Sequence, residues 1–415
     1  MVVAYVPDTE LSVDEINLAQ LGFWLRDDVD GALAKLRRER PIAWHEHPDC
    51  GKGFWSVTRY ADIAAISVDT ATFSNRWSIR VNHDPEMGLT RPGSSSIIEM
   101  DPPQHTKYRK LVSRGFTPRR IGLVEDHIRA RARALVDSVA SKGSCEFVTE
   151  IAARLPLEVI CDLVGVPSQD HDYIFKLSSE SFGEYDPEVG VTPEQGSAAA
   201  QELKAYGCAL AEERRRNPKD DLITLLVEAE VDGHRLTQEE IGGFFSLLLA
   251  AGSETTRSAI SHGLVAFSRF PEQKRLFLED CSAWAPYAAE EILRWATPIL
   301  HMRRTVTREV DFGGVRMREG DKVAMWYISA NRDESVFPDP YRFDITRDPN
   351  RHGAFGTGGP HFCLGHNLAR REIAVLFEEL FRLLPDIEAV GEPVKLRSNQ
   401  FHGIKRLHAV FTPVR

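Results

Sequence analysis

The sequence lacks long apolar segments and closely spaced cysteines. No stretch approaches the roughly 20 uninterrupted apolar residues that a membrane-spanning helix needs, and residues 1–20 carry Asp8, Glu10, Asp14 and Glu15 instead of a basic leader. The six cysteines are scattered without a Cys-x-x-Cys pair, which argues against a disulfide framework or a structural zinc site. We therefore expect a cytoplasmic protein with free thiols and no membrane anchor.

Excess basic charge and low-complexity sequence are missing as well. The formal net charge is −10, whereas nucleic-acid binders need many Lys and Arg contacts to phosphate. With 42% hydrophobic and 27% charged residues, the composition is that of an ordinary globular chain. No repeat or linker divides it, so we expect one domain over residues 1–415 and no nucleic-acid partner.

Helical periodicity dominates the pattern of apolar residues. Strands are predicted only near residues 53–58, 310–328 and 403–412, where short apolar or β-branched runs are bounded by turn residues. The fold class is therefore mainly α, with small β-sheets. Residues 75–96 and 184–196 are rich in turn-forming residues and are predicted to be mobile lids.

A glycine-rich loop near the C-terminus holds the most informative cysteine. Phe355-Gly-Thr-Gly-Gly-Pro-His-Phe-Cys363-Leu-Gly365 leads into an amphipathic helix, so Cys363 lies where unpaired amide groups and the helix dipole favour a thiolate. The glycines allow the backbone to approach a flat ligand closely. A lone cysteine is usually a buried free thiol, but the surrounding pattern favours a metal ligand.

This loop resembles the haem-binding loop of the cytochrome P450 family, in which a Phe and spaced glycines precede His-x-Cys-x-Gly and a cysteine thiolate holds the iron. The resemblance implies that Cys363 is the axial ligand of haem b. It also implies a fold in which the haem lies between a long central helix and the cysteine loop. Phe355 stands eight residues before the cysteine, where the commonest family spacing is seven; the resemblance places it beside the haem.

A capping box at Thr237 and Glu240 predicts the start of that long helix. On the residues alone, Thr255 would bond back to the carbonyl of Ala251 and Glu254 would reach solvent. The stretch nevertheless resembles the family motif Ala/Gly-Gly-x-Asp/Glu-Thr, whose Thr hydrogen-bonds dioxygen and whose acid helps to relay protons. The resemblance implies that Thr255 and Glu254 are the catalytic residues.

Haem carries two propionates, so cationic partners are expected. His105 and Arg109 are four residues apart on a helix predicted after Asp101-Pro-Pro and therefore share a face. The resemblance assigns both to propionates, together with His361 and Arg304. Arg303 is the alternative to Arg304.

Glu291 and Arg294 are spaced three apart on a predicted helix, where their side chains can meet. Such a pair is weak evidence by itself. With Arg342 it resembles the Glu-x-x-Arg motif of the family and its later arginine, which implies a buried ion network beneath the haem loop.

Several basic residues suggest how electrons arrive. Lys107, Lys110 and Arg114 form one helical stripe, and Arg370 and Arg371 follow the cysteine loop. These charges could simply be a solvated face. On an acidic protein they could also attract an acidic ferredoxin, so ferredoxin and its reductase are the predicted electron donors, with dioxygen as co-substrate.

Within the family, the chain looks similar to mycobacterial members that hydroxylate methyl-branched lipids at the chain end, for example at Val227-Glu-Ala-Glu-Val-Asp-Gly233 and His402-Gly-Ile-Lys405. The resemblance implies ω-hydroxylation of a methyl-branched fatty acid or isoprenoid, with sterols and terpenoids as alternatives. Selecting a chain end requires a narrow apolar funnel. Its predicted lining residues are Ile98, Leu247, Ala251, Ile299 and Phe401.

Two other functions compete with a monooxygenase. A haem-thiolate sensor would share Cys363 but would need neither Glu254 nor Thr255. A peroxygenase would take oxygen from peroxide and typically replaces the acid–alcohol pair, which is intact here.

Overall fold

The computed structural model describes residues 7–82, 96–118, 122, 124–182, 190–231 and 233–414. Its α-helices are α1 (Val29–Glu39), α2 (Tyr60–Val68), α3 (Gln104–Val112), α4 (Glu125–Ala140), α5 (Arg154–Val164), α6 (His171–Phe182), α7 (Pro193–Arg216), α8 (Leu222–Glu228), α9 (Gln238–Arg269), α10 (Pro271–Glu279), α11 (Cys281–Ala296), α12 (Tyr327–Ala330) and α13 (His366–Leu383). Short 3₁₀ turns occur at Leu21–Leu25, Pro48–Cys50, Ile97–Glu99, Ser113–Phe116 and Ser168–Asp170, and a π-turn at Val148–Ala152.

The strands are short and form small sheets. They are β1 (Ile42–His45), β2 (Phe54–Val57), β3 (Phe73–Ser74), β4 (Ser144–Glu146), β5 (Glu230–Val231), β6 (His234–Arg235), β7 (His301–Val306), β8 (Val310–Phe312), β9 (Val315–Met317), β10 (Lys322–Trp326), β11 (Glu388–Ala389), β12 (Val394–Lys395), β13 (Ile404–Arg406) and β14 (His408–Val410). The largest sheet has the order β1-β2-β10-β7-β3. In it β10 runs parallel to β2 and antiparallel to β7.

The five-stranded sheet separates two small hydrophobic clusters, because side chains alternate between its faces. Trp326 belongs to one cluster and stacks on Trp24, with ring centroids 4.8 Å apart. Val323 and Met325 face the other cluster. The sheet therefore provides a rigid strand, β7, from which side chains can reach a site.

The main core surrounds the long helix α9, which packs against α5, α7 and α11, while α13 packs against α4 and α11. A glycine permits one close approach between these helices. A Cβ at Gly207 would lie 2.6 Å from the Cβ of Phe245, so any larger residue would push α7 away from α9. This contact therefore fixes the distance between α7 and α9.

The predicted class, mainly α with small β-sheets, is confirmed, and α3 begins after Asp101-Pro-Pro as expected. Other boundaries differ. The strand predicted to end near Ile328 stops at Trp326 and continues as α12, and the predicted lid 184–196 ends in the first turn of α7, which has a Thr192–Gln195 capping box. Residues 83–95 and 184–189 of the predicted lids lie outside the described residues.

Strand β7 was not predicted from the sequence, because its buried positions include His301, Arg303 and Arg304. These residues break the usual alternation of apolar and polar residues.

None of the described helices combines the length and the apolar character needed to cross a membrane.

Candidate active site

The cysteine loop closes on itself before it enters α13. The Cys363 amide donates to the Phe355 carbonyl over 2.9 Å, so this hydrogen bond joins the two ends of the loop. Gly359 has a positive φ of 79°, and a Cβ there would lie 2.1 Å from the Ser67 carbonyl oxygen. Only glycine fits this position, so the loop needs it to pass under α2.

Cys363 lies two residues before Gly365, the N-cap of α13. Burial raises the pKa of its thiol, while the Gly365 backbone N–H and the guanidinium groups of Arg109 and Arg370 act in the opposite direction. The local donors and cations therefore assist ionisation but do not overcome burial by themselves. A bound metal ion would complete the deprotonation, because a coordinating thiol loses its proton outright.

Four basic side chains converge beside this loop. His105 and Arg109 come from one face of α3; His361 comes from the loop and Arg304 from β7. The imidazoles of His105 and His361 have ring centroids 4.2 Å apart, and Arg109 Nη2 donates to the Phe362 carbonyl over 2.6 Å. Sequence reasoning placed these four residues together, and the structure does the same.

The basic cluster of His105, Arg109, Arg304 and His361 has unused hydrogen-bonding capacity. Within the described residues, His105 Nδ1, His361 Nε2 and Arg304 Nε are buried without a hydrogen-bond partner. Burial lowers the pKa of His105 to about 4 and that of His361 to about 3, and neighbouring Arg304 adds to the second effect. Buried polar atoms are normally hydrogen-bonded, so this cluster fits an anionic group.

The structure also distinguishes the two adjacent arginines. Consecutive residues of a strand point to opposite faces; Arg304 faces His361, whose pKa it lowers. Arg303 instead donates to the Arg80 carbonyl and to Thr305 Oγ1. Of the pair, Arg304 belongs to the basic cluster.

The central helix begins with the predicted capping box, in which Thr237 and Glu240 bond reciprocally. In its middle, Ala251 is exposed and Thr255 half-buried, although most of the central part of α9 is packed in the core. Thr255 Oγ1 donates to the Ala251 carbonyl over 2.7 Å. One face of this helix therefore borders an open space at the level of Ala251 and Thr255.

Glu254 points elsewhere on the same helix and does not reach solvent. Its side chain is buried, and its carboxylate pairs with Arg257 Nη2 over 2.6 Å. Burial raises the pKa of Glu254, and the Arg257 cation opposes that shift. A cavity of about 20 Å³, lined partly by Ser178 and Ser253, adjoins this pair and is large enough for one water molecule.

The five residues predicted to line a substrate funnel share one property: each is half-buried or exposed, and none belongs to the fully buried core. They are Ile98, Leu247, Ala251, Ile299 and Phe401. Leu247 and Ala251 precede Thr255 by eight and four residues and share its helix face, while Ile299 and Phe401 form a β-bridge. The positions are compatible with one apolar wall.

The ion network under the loop corrects one prediction. Glu291 and Arg294 are fully buried and joined by two hydrogen bonds of 2.7 and 2.8 Å. The side chain of Arg342, however, is exposed, and only its carbonyl accepts from Arg294. The second cation is Arg347, whose Nε lies 3.4 Å from Glu291 and whose side chain is 10% exposed. A turn at Asp339, with φ of 48°, precedes both arginines.

Sequence reasoning also missed two contacts of α13. Arg370 is held by Glu290 of α11, and Glu372, which is buried, bonds to Thr256 of α9. Glu290 and Glu372 were not distinguishable from ordinary helix-surface acids in the sequence. Both contacts join α13 to a helix distant in the chain, which no local pattern reveals.

Comparisons with known proteins agree with this geometry. A family model described as cytochrome P450 matches residues 287–385. The methyl-branched lipid omega-hydroxylase of Mycobacterium tuberculosis is 46% identical over 97% of this chain and 96% of its own. The steroid C26-monooxygenase of Mycolicibacterium smegmatis is 40% identical over 92% and 90%. A solved structure of a Mycobacterium marinum cytochrome P450 in complex with pseudoionone has a TM-score of 0.88 and 38% identity, covering 99% of this chain and all of the other.

A cysteine loop, an acid–alcohol pair on a central helix and a buried basic cluster define a haem-thiolate enzyme of the oxygen-inserting class. The chain belongs to the cytochrome P450 family. It is accordingly a monooxygenase with a haem iron cofactor. The residues fit that group, because a thiol and an unsatisfied basic cluster meet at one loop.

Proposed function

We propose that this monooxygenase hydroxylates the end of a methyl-branched hydrophobic chain. The observation that carries the proposal is that both named relatives, which resemble the chain over nearly its whole length, act at the end of a carbon chain. Omega denotes the chain terminus, and C26 is a methyl carbon at the end of the branched steroid side chain. Pseudoionone, bound in the structural relative, is a methyl-branched isoprenoid ketone as well.

Cys363 would hold the iron of haem b through its thiolate, and Phe355 would lie beside the haem. When bound, the haem supplies the activation of dioxygen and the insertion of one oxygen atom into a C–H bond. The basic cluster of His105, Arg109, Arg304 and His361 would hold the propionates, and the charge of its arginines would offset theirs. This arrangement uses the buried donors that otherwise lack partners.

Thr255 and Glu254 are proposed to deliver protons. While the Thr255 hydroxyl donates to Ala251, its oxygen keeps lone pairs that can accept a hydrogen bond. Glu254 adjoins the small cavity beside Ser178, so a water there can exchange protons with its carboxylate. If Glu254 alone passes protons to the site, other water molecules have less access to it. Uncontrolled delivery of protons by water would release peroxide in place of product.

The apolar wall of Ile98, Leu247, Ala251, Ile299 and Phe401 is proposed to orient the substrate. Terminal C–H bonds are stronger than internal ones, so the enzyme must select the chain end by shape. A branch methyl makes contacts with the apolar wall beside the chain that a linear chain lacks. Each additional buried methyl group contributes about 0.8 kcal/mol.

Electrons are proposed to come from a ferredoxin and its reductase. Lys107 and Lys110 are exposed on α3, whose other face carries His105 and Arg109. Arg370 and Arg371 are paired with Glu290 and Glu125, so Lys107 and Lys110 form the centre of the docking surface. The side chain of Arg114 lies outside the described part of the chain.

A ligand titration of the ferric holoenzyme tests the substrate class. We would follow the Soret band during addition of a methyl-branched fatty acid and of a linear fatty acid of equal carbon number. The proposal requires a saturable high-spin shift that is tighter for the branched acid. Equal affinities, or a shift with the linear acid alone, would contradict it.

A steroid is the second candidate substrate, favoured by the 40% identity to the steroid C26-monooxygenase. The same titration with a side-chain-bearing steroid discriminates between the two, and product analysis then locates the hydroxyl group. The titrations are repeated with the variant Ala251→Leu, which tests whether the ligand contacts the α9 face beside Thr255. It adds bulk to the exposed helix face beside Thr255 and should weaken binding of the preferred ligand about tenfold.

A further inference from the structure

Glu290 connects three elements behind the cysteine loop. Its carboxylate pairs with Arg370 of α13 through two contacts, from Nε and, over 3.2 Å, from Nη2. The same carboxylate lies 2.8 Å from Nε2 of His352, whose side chain is 1% exposed. These hydrogen bonds hold the pKa of Glu290 at about 2, against the opposing effect of burial. Glu290 is therefore a charged anchor that fixes the position of Arg370.

Arg370 is held directly against the loop that contains Cys363. Its guanidinium carbon lies 4.5 Å from the centre of the Phe355 ring, and Nη1 lies 2.7 Å from Nδ1 of His366. The Phe355 carbonyl in turn accepts from the Cys363 amide. A planar guanidinium that is both bidentate and stacked has little freedom to move away.

Arg370 and Arg109 are two cations that both contact the cysteine loop. Arg370 stacks on the Phe355 ring, and Arg109 donates to the carbonyl of Phe362, the residue before Cys363. Arg109 belongs to the basic cluster and is assigned to a propionate. Arg370 has no such assignment, and its role is left open by the proposed function.

We propose that Glu290 and Arg370 are positioning residues that set the reduction potential of the haem. Arg370 keeps a positive charge beside the thiolate, and Glu290 both orients that charge and partly offsets it. A nearby positive charge favours the reduced iron, and a negative charge opposes it. The inference rests on the proposed ligation of haem by Cys363.

A purely structural ion pair would give a different result. If the pair only tied α11 to α13, removing either partner would loosen the loop in the same way. If the pair acts through charge, removing the cation and removing the anion must shift the potential in opposite directions. The sign of the two shifts is therefore the informative measurement.

The experiment is a spectroelectrochemical titration of the ferric/ferrous couple in substrate-free holoenzyme. Arg370→Gln should lower the potential and Glu290→Gln should raise it, each by a change on the order of threefold to tenfold in the reduction equilibrium. For a one-electron couple, tenfold corresponds to about 59 mV. The double variant should lie close to the unmodified protein.

Two further variants separate charge from packing. Arg370→Lys keeps the charge but loses the bidentate and stacked geometry, so its potential should stay near that of the unmodified protein while its thermal stability falls. Arg371→Gln is the matched control, because Arg371 is the adjacent residue, 44% exposed and paired with Glu125. Its potential should not change.

Shifts of Arg370→Gln and Glu290→Gln in the same direction, or the absence of any shift, would overturn the inference. The carbon monoxide spectrum of each reduced protein separates this failure from failure of the proposed ligation. A thiolate-type spectrum without opposite shifts rejects the inference alone, whereas the absence of that spectrum in the unmodified protein rejects ligation by Cys363. If Glu290→Gln does not retain haem, Arg370→Gln and Arg370→Lys decide the question, since only the former should lower the potential.

Discussion

The carboxylate of Glu254 lies 2.6 Å from the guanidinium of Arg257, one turn further along the central helix. Thr255, the next residue, bonds instead to Ala251 on the exposed face. The acid and the alcohol therefore lie on different sides of the helix. If Glu254 and Thr255 deliver protons as proposed, a proton that enters beside Glu254 would have to pass around the backbone to reach Thr255.

The hydroxyl of Thr255 is predicted to couple electron use to product formation. Thr255→Ala should lower product per electron consumed by about tenfold or more and increase peroxide release, because a positioned proton-transfer group is lost. Product and peroxide would be quantified against NAD(P)H consumed with a ferredoxin system. Thr255→Ser, which keeps a hydroxyl, is the control and should remain largely coupled.

An unchanged ratio of product to peroxide in Thr255→Ala would remove Thr255 from the mechanism. Undiminished turnover driven by added peroxide, without activity from dioxygen in either protein, would instead favour a peroxygenase.

The Glu291–Arg294 pair is predicted to be essential for stability, since both side chains are fully buried. Arg294→Leu should destabilise the protein by about 3–5 kcal/mol, because it leaves the Glu291 charge buried with less compensation. Arg342→Ala should change stability by no more than about 0.5 kcal/mol, because only the carbonyl of Arg342 joins the network. Thermal unfolding of the two variants compares them directly; similar losses would contradict the geometry of the network.

Glu372 is predicted to make stability depend on pH. Burial raises its pKa well above the usual value, and the hydrogen bond to Thr256 offsets this only in part. Between the unfolded pKa near 4.5 and the higher folded pKa, the folded protein binds more protons than the unfolded chain. The contribution of Glu372 to the free energy of unfolding is therefore present at low pH and is lost as the pH rises.

Glu372→Gln should accordingly stabilise the protein at about pH 8, by roughly 1–3 kcal/mol, with little gain at about pH 5. Denaturation midpoints across this range test the sign. A gain that grew as the pH fell would show that Glu372 is ionised in the folded state.

Lys107 and Lys110 are predicted to guide the electron donor. Reversing both charges to Glu should slow reduction by a ferredoxin about tenfold at low salt, and added salt should diminish the difference. Stopped-flow reduction under carbon monoxide measures the rate. Arg269→Glu, an exposed reversal at the end of α9, is the control and should reduce at the rate of the unmodified protein; a similar loss in both would indicate a general charge effect.

Much of the fold could be predicted from local signals. The capping box at Thr237 and the glycines before Cys363 identified the two helices that enclose the site, because caps and turns depend on nearby residues. Strand β7 could not be predicted in this way. Its Arg304 is buried by partners that are distant in sequence, so its polarity conceals its place in the sheet.

The contact between Glu291 and Arg294 was predictable, because a motif fixes both residue type and spacing. The role of Cys363 as iron ligand stays a prediction. The site was not predictable from the sequence where several residues of the same type could occupy one position. Arg342 and Arg347 both follow the turn at Asp339 within a few residues, and only the folded chain shows that Arg347 is the one that reaches Glu291. The same holds for Arg303 and Arg304. They point to opposite faces of β7, and β7 itself was not predicted from the sequence.

The most direct test of the account is the absorption spectrum of the reduced carbon monoxide complex of the unmodified protein and of Cys363→His. Cys363 as the iron ligand predicts the red-shifted Soret band of a thiolate complex in the former and its loss in the latter, with haem still bound through imidazole. The same red-shifted band in both proteins would contradict ligation by Cys363 and, with it, the placement of the whole active site.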